Sequence, residues 1–167
     1  MEVTFRRLAP ADATTYRALR LEGLRLASRA FQSTLEEESA LTLDGYSARL
    51  ATPDNATIGA FANGALLGIG TLLREIRTTV RHRGEIVGMY VTPSARGAGV
   101  GDGIMERLIA HARTLGLRWV GLELAAENAP ARGLYERFGF REYGHTPRAQ
   151  LHDGAWLDTT LMVLLLD

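Results

Sequence analysis

The chain has no cysteine, no long hydrophobic run and no excess of charge of either sign. The absence of cysteine excludes disulfides, thiolate metal sites and a cysteine nucleophile. Basic and acidic residues number 19 each, so no overall field attracts nucleic acid or an anionic membrane. The longest apolar run, Leu161–Leu166, is far shorter than the roughly 20 residues that a membrane-spanning helix needs. We interpret it as a buried strand.

The composition is that of a globular protein, with 46% hydrophobic and 23% charged residues in a length of 167. We therefore expect one domain over residues 1–167, with no nucleic acid and no membrane among its partners. The first residues have neither the basic segment nor the apolar segment of a secretion signal, which favours a cytoplasmic location.

Hydrophobic periodicity predicts the element order βααβββαβαββ. Asn63-Gly64 lies between two short apolar runs and predicts a type I′ turn, because both turn residues need a positive φ. Antiparallel hairpins followed by a β-α-β crossover indicate the α/β (α+β) class, with a mixed, largely antiparallel sheet flanked by helices. The predicted helices cover about 12–28, 41–51, 100–115 and 129–138, and the predicted strands about 3–8, 58–61, 66–74, 85–91, 118–124, 141–144 and 156–166.

A glycine-rich turn, Arg96-Gly-Ala-Gly-Val-Gly101, follows a predicted strand and opens a predicted helix. Successive backbone N–H groups at such a turn, with the positive end of the helix, form a pocket for phosphate. A Walker A loop is excluded because Asp102-Gly103 stands where Lys-Ser/Thr is required. A dinucleotide fingerprint is excluded because neither residue 102 nor Ile104 is the glycine that its spacing requires.

The turn resembles Arg/Gln-x-x-Gly-x-Gly/Ala, the pyrophosphate loop of the GNAT acetyltransferase superfamily. Further along, the segment from Asn128 to Phe140 resembles the Asn-x-x-Ala-x-x-x-Tyr-x-x-x-Gly-Phe motif of that superfamily at every defining position. The two motifs have the family's order and separation, and a predicted strand lies between them. The resemblance implies the GNAT fold, acetyl-coenzyme A as co-substrate without a metal, and transfer of the acetyl group to an amine. Family habit and the apolar final strand also suggest a homodimer.

The same resemblance implies a set of coenzyme-binding residues. Asn128 would contact the coenzyme, although it is also suited to cap the helix that follows it. Asp102 departs from the family, where a basic or hydroxyl residue is common beside the pyrophosphate. The other expected contacts are the backbone of Met89, Tyr90 and Val91 and the loop residues Arg96, Gly97, Ala98, Gly99, Val100 and Gly101.

Two side chains are candidates for catalysis. The resemblance implies that Tyr135 places its hydroxyl at the thioester sulfur and protonates the departing thiolate; the alternative is a packed core residue. Glu85 precedes Arg96 by eleven residues, as does a glutamate that serves as general base in the histone-acetyltransferase branch; its alternative is a solvated surface position. Strand alternation predicts that Glu85, Val87, Met89 and Val91 share one face.

The acceptor is the least defined partner, and both small-molecule and peptide amines fit the resemblance. Glu36, Glu37 and Glu38 follow the first predicted helix, in a region that borders the acceptor site in the family. These carboxylates could attract a cationic amine, but Ser33-x-x-Glu36 and Thr34-x-x-Glu37 are also capping-box patterns. A coenzyme-binding sensor or scaffold without catalysis stays an alternative, and a nucleotide-binding protein is weakened by the motif mismatches.

Overall fold

Seven strands and five helices make up the computed structural model, which describes residues 1–167. They follow one another as β1 (Thr4–Arg7), α1 (Ala13–Leu26), α2 (Leu35–Ala40), α3 (Leu43–Ala51), β2 (Ala56–Ala62), β3 (Ala65–Arg74), β4 (Arg83–Val91), α4 (Val100–Thr114), β5 (Trp119–Ala125), α5 (Ala129–Arg137), β6 (Arg141–His152) and β7 (Ala155–Leu165).

The strands form one sheet in the order β1-β2-β3-β4-β5-β7-β6, and β4 with β5 is its only parallel pair. The predicted mixed, largely antiparallel sheet is therefore confirmed. Asn63 and Gly64 have φ values of 49° and 79° at the turn between β2 and β3. Both residues are in the left-handed region, as the predicted turn requires.

Each face of the sheet has its own hydrophobic core. One core contains the apolar side of α4, including Ile104, Met105 and Leu108, together with Tyr135 of α5. The buried residues of α4 follow helical spacing, so that a single stripe of this helix packs against β2, β3 and β4. The other core lies under α1 and α3 and contains Tyr90 of β4. The sheet therefore separates α1–α3 from α4 and α5.

Short helix α2 was not predicted as a separate element, although its capping box was recognised in the sequence. Thr34 accepts a hydrogen bond from the Glu37 N–H at 3.1 Å, and the Glu37 carboxylate accepts one from the Thr34 N–H at 2.7 Å. This reciprocal pair begins α2 at Leu35. Strand β6 is also much longer than predicted, because it continues to the turn at Asp153-Gly154.

The apolar run Leu161–Leu166 lies largely within β7, which pairs with β5 on one side and β6 on the other. Met162 and Leu166 are buried in the α4-side core. The run is therefore a strand, as the sequence predicted, but it is only partly buried because Leu165 is exposed. It presents no free strand edge for a second subunit. None of the helices combines the length and the apolar character needed to cross a membrane.

Candidate functional site

A cleft opens where β4 and β5 diverge. The two strands pair only from Arg83–Ile86 with Trp119–Leu122, so the rest of β4 has no partner on its β5 side. The cavity there has a volume of about 410 Å³. Its walls come from β4, β5, α5 and the segment between α1 and α2, with single residues of α1, β3, β6 and β7.

A bulge at Gly88 changes the direction of side chains along β4. The β3–β4 register shifts between the pairs Ile69–Tyr90 and Thr71–Val87, and Gly88 has a φ of 62°, which favours glycine. Ile86, Met89 and Val91 consequently pack on the α4 side, while Tyr90 packs on the α1 side.

The expectation that Glu85 and Met89 share a face is therefore wrong. Strand alternation is interrupted by the extra residue between them, so Glu85 and Val87 lie on the face of Tyr90, away from Met89. Both Glu85 and Met89 still line the cleft, because the divergence of β4 from β5 exposes it to both faces of the strand.

The glycine-rich turn forms a cradle of backbone donors at the start of α4. The N–H groups of residues 97–102 have no hydrogen-bond acceptor in the protein, and the first bond of the helix runs from Gly103 N–H to the Gly99 carbonyl. Gly97 and Gly99 have φ values of 77° and 75°, and a Cβ on either would meet no atom within 4 Å. Six consecutive donors are thus unpaired beside the positive end of a 15-residue helix, as a diphosphate would require.

Two charged residues border this cradle. Asp102 accepts hydrogen bonds from Arg137 at the end of α5, the shortest being 2.9 Å. The Arg137 guanidinium therefore offsets part of the negative charge that Asp102 brings to this end of the helix. Arg96 donates from Nε to the Val91 carbonyl at 3.0 Å and extends over the ring of Tyr90.

The other residues predicted to bind the coenzyme divide into side-chain and backbone candidates. Asn128 caps α5 by accepting a hydrogen bond from the Ala131 N–H at 3.2 Å, and it also lines the cleft. Its amide NH₂ group remains for a ligand. Tyr90 and Val100 are buried, so only their backbone is available, whereas Ala98 is exposed on the turn.

Tyr135 lies in the wall of the cleft at α5, one turn after Ala131. Its ring packs against Phe140 with centroids 6.0 Å apart. Burial raises the pKa of Tyr135 to about 12, and burial is the only cause of that shift. The phenol therefore keeps its proton throughout the physiological range and is available as a donor.

Glu85 is half-buried in the cleft, and burial raises the pKa of its carboxyl group. Arg83 opposes this shift, whereas the negative charges of Glu123 and Glu75 add to it. A raised pKa makes a carboxylate a better proton acceptor, so the environment is suited to a general base.

Glu123 is a cleft residue that the sequence analysis did not identify. It lies on β5 just past the last β4–β5 pair, and its carboxylate accepts hydrogen bonds from Thr159 and, at 3.5 Å, from Gln32. A charged residue between Leu122 and Leu124 of an apolar strand was the signal that could have identified it.

The acidic segment after α1 does not present its carboxylates to the cleft. Glu37 is used by the α2 capping box, and Glu38 is buried in an ion cluster. The cleft wall here is formed instead by Arg20 of α1 and the segment from Arg29 to Ser33. None of the three carboxylates of Glu36–Glu38 lines the cleft, so the expectation that they attract the acceptor amine there is wrong.

The sequence and fold relate the chain to known acyltransferases. Residues 21–140 match the acetyltransferase (GNAT) family. Over 91 residues the chain is 37% identical to an L-methionine sulfoximine/L-methionine sulfone acetyltransferase of Pseudomonas aeruginosa, covering 54% of this chain and 50% of that protein. It is 30% identical to the L-amino acid N-acyltransferase MnaT of Escherichia coli, covering 77% and 69% of the two chains. The chain thus spans about half the length of the first of these relatives.

The fold agrees with that relationship. A phosphinothricin acetyltransferase from Sinorhizobium meliloti, solved in complex with acetyl-coenzyme A, superposes with a TM-score of 0.86 at 24% identity over 99% of this chain and 89% of that one. The chain therefore has the fold of that acetyltransferase. The family match is more specific, and the chain belongs to the GNAT acetyltransferase family.

Proposed function

We propose that the protein transfers the acetyl group of acetyl-coenzyme A to the amine of a small molecule. The observation that supports this most directly is the row of six unpaired N–H groups at 97–102, beside the cleft that holds Tyr135 and Glu85. The donors fit the two phosphates of the coenzyme. Arg96 at the edge of the turn adds positive charge once its side chain leaves the Val91 carbonyl.

The free edge of β4 is the proposed site of the pantetheine arm. Beyond Ile86 this strand lacks a neighbour on its β5 side, so backbone groups of Met89–Val91 can pair with the amides of an extended ligand. In this arrangement the Met89 N–H would donate to the thioester carbonyl, and the Asn128 amide would contact the same arm.

The proposed reaction is direct transfer within a ternary complex. The ammonium form of the acceptor loses a proton toward Glu85, and the amine nitrogen then forms a bond to the thioester carbon. Glu85 and Met89 lie on opposite faces of β4 on either side of the bulge, which favours proton transfer through a bridging water. As the C–S bond breaks, Tyr135 donates its hydroxyl hydrogen to the departing thiolate; the acylated nitrogen loses its second proton to solvent, and Tyr135 regains one from solvent.

The nature of the acceptor is a separate part of the proposal. The relatives named for amino acid acetylation support a small amine over a peptide. A coenzyme-binding sensor without catalysis is the alternative, and the presence of both Glu85 and Tyr135 in one cleft argues against it. We also propose a cytoplasmic location, where acetyl-coenzyme A would be accessible.

Replacement of Gly101 by valine tests the donor cradle. Gly101 lies in the first turn of α4 and, unlike Gly97 and Gly99, has no positive φ, so a side chain can be added there without backbone strain. The added methyl groups would stand among the free N–H groups and near Leu134. We expect acetyl-coenzyme A affinity to fall by at least about tenfold in calorimetry, which corresponds to about 1.4 kcal/mol.

Gly133→Val is the matched control, because it makes the same change within a helix where the nearest side-chain atom would be 4.0 Å away. It should retain coenzyme affinity. In the wild-type protein, acetyl-coenzyme A but neither ATP nor NAD should raise the melting temperature, and an amine panel should release free thiol. Unchanged affinity in folded Gly101→Val would contradict the assignment of the loop, and coenzyme binding without turnover of any amine would favour the sensor.

We also propose a homodimer, although the apolar final strand, which suggested it in the sequence, no longer supports it. Since β7 is internal, the supporting feature is instead a set of large apolar side chains that are exposed around β6 and β7: Tyr143, Leu151, Trp156 and Leu165. Light scattering at micromolar concentration should give twice the mass of the chain, and Trp156→Glu should shift the protein toward monomer. A monomeric mass across the concentration range would remove the dimer.

A further inference from the structure

Arg20 of α1 is a cationic side chain in the cleft wall to which the proposed chemistry gives no role. It is 11% exposed and is held in place on two sides. Its Nε and Nη2 donate to Glu38 at 3.3 and 3.1 Å, and Nη2 also donates to the Ser33 hydroxyl at 3.4 Å. The guanidinium further packs over the ring of Phe31, 5.2 Å from its centroid.

One end of this guanidinium is left unpaired. Nη1 has no acceptor in the protein, yet it is not among the buried polar atoms that lack a partner, so it is open to the cleft. A Cβ on Gly88 would lie 3.0 Å from Nη1. Nη1 of Arg20 therefore lies against the bulge of β4, in space that a side chain at position 88 would take.

The positive charge of Arg20 is not neutralised by its partner. Glu38 also accepts hydrogen bonds from Arg49, the shortest at 3.0 Å, and one from the Tyr46 hydroxyl at 2.8 Å. Burial opposes ionisation, but the hydrogen bonds from the two arginines lower the pKa of Glu38 to about 2. One carboxylate thus faces two guanidinium groups, and the cluster has a net charge of +1.

We propose that Arg20 binds a carboxylate of the acceptor and thereby selects amines that are α-amino acids. This inference rests on the proposed function and adds the acceptor class and the residue that sets it. A free guanidinium edge recognises a carboxylate through charge-assisted hydrogen bonds. Glu85 and Glu123 supply negative charge elsewhere in the same cleft, so its walls complement both groups of a zwitterion.

The place where the Arg20 guanidinium meets β4, beside Gly88, indicates an α-amino acid as the acceptor. Gly88 directly precedes Met89, whose N–H is the proposed partner of the thioester carbonyl, so Nη1 lies beside the place where the amine attacks. The carboxylate that it binds must therefore be close to the reacting nitrogen, as in an α-amino acid, where one carbon separates them. The other arginine of the cleft wall, Arg29, is half exposed and already paired with Glu127.

The test compares L-amino acids with their primary amides, which keep the side chain and lack the carboxylate charge. The probes are the natural L-amino acids, each paired with its amide, and kcat/KM is expressed per concentration of free amine because the amides are less basic. We expect the wild-type enzyme to prefer the best acid over its amide by about 10- to 150-fold, the range for a hydrogen bond to a charged group. Arg20→Gln should abolish that preference, and Arg20→Lys should retain part of it.

Arg49→Gln is the matched control, because Arg49 bonds the same carboxylate but is 43% exposed and does not line the cleft. It should lower stability without changing the ratio of acid to amide. Equal use of acids and amides by the wild-type enzyme would overturn the proposal without any variant. Turnover of amines that lack a carboxylate, with no amino acid acetylated, would overturn it and leave the transferase in place. Failure of acetyl-coenzyme A to bind would overturn both.

Discussion

Tyr135→Phe is expected to lower the turnover number by ~10²–10⁴-fold while coenzyme affinity barely changes. The substitution keeps the ring and its packing against Phe140 and removes only the hydroxyl. With a pKa of about 12, this hydroxyl is protonated at every pH at which the enzyme would work. It can therefore donate to a thiolate as the C–S bond breaks, and the phenylalanine ring cannot. Steady-state turnover and calorimetric affinity together measure the difference.

A second buried tyrosine provides the control for this experiment. Tyr16 is in the core under α1 and does not line the cleft. Tyr16→Phe makes the same chemical change at a distance from the proposed reaction and should retain turnover. If Tyr135→Phe also turned over at the wild-type rate, Tyr135 would be a core residue and the thiolate would take its proton from water.

Glu85→Gln is expected to remove the ascending acidic limb of the pH–rate profile and to lower the plateau rate by ~10²–10⁴-fold. That limb reports the loss of a proton from the base, and glutamine has no proton to lose. Burial raises the pKa of Glu85, so the wild-type limb should lie above the usual range of a glutamate. The measurement needs an acceptor whose amine titrates outside the tested range, and conditions in which chemistry limits the rate.

Glu123→Gln separates the two carboxylates of the cleft. The charge of Glu123 raises the pKa of Glu85, so its removal stabilises the ionised form of Glu85 and lowers that pKa. The acidic limb should therefore persist and move to lower pH. Loss of the limb in Glu123→Gln, with its retention in Glu85→Gln, would assign the base to Glu123.

Local patterns in the sequence identified the features that depend on neighbouring residues. The apolar stripe of α4, the turn at Asn63-Gly64 and the glycine-rich loop are each encoded within a few residues, and each has the predicted structure. Asp153-Gly154 has the same turn chemistry, with φ values of 49° and 78°, and reveals why β6 continues beyond its predicted end. That signal was present in the sequence and was not used.

Features that depend on distant pairing were not predictable in the same way. An isolated glycine within a strand is compatible with a bulge, but the register that defines the bulge at Gly88 depends on β3. Similarly, the Arg20 side chain is held in the cleft wall by hydrogen bonds to Glu38, which is 18 residues further along the chain. The coenzyme half of the candidate site is therefore local in sequence, whereas the acceptor half is assembled by tertiary contacts.

Because of the bulge, β4 contributes side chains to the proposed sites of both ligands. Glu85 and Val87, before Gly88, face α1 and the proposed acceptor, whereas Met89 and Val91 after it belong to the side of the sheet that supports the coenzyme loop. A substitution at Val87 can therefore alter which amine fits without displacing the side chains that support acetyl-coenzyme A. Deletion of Gly88 would instead invert every side chain that follows, so acceptor preference can be redesigned by substitution here and not by shortening the strand.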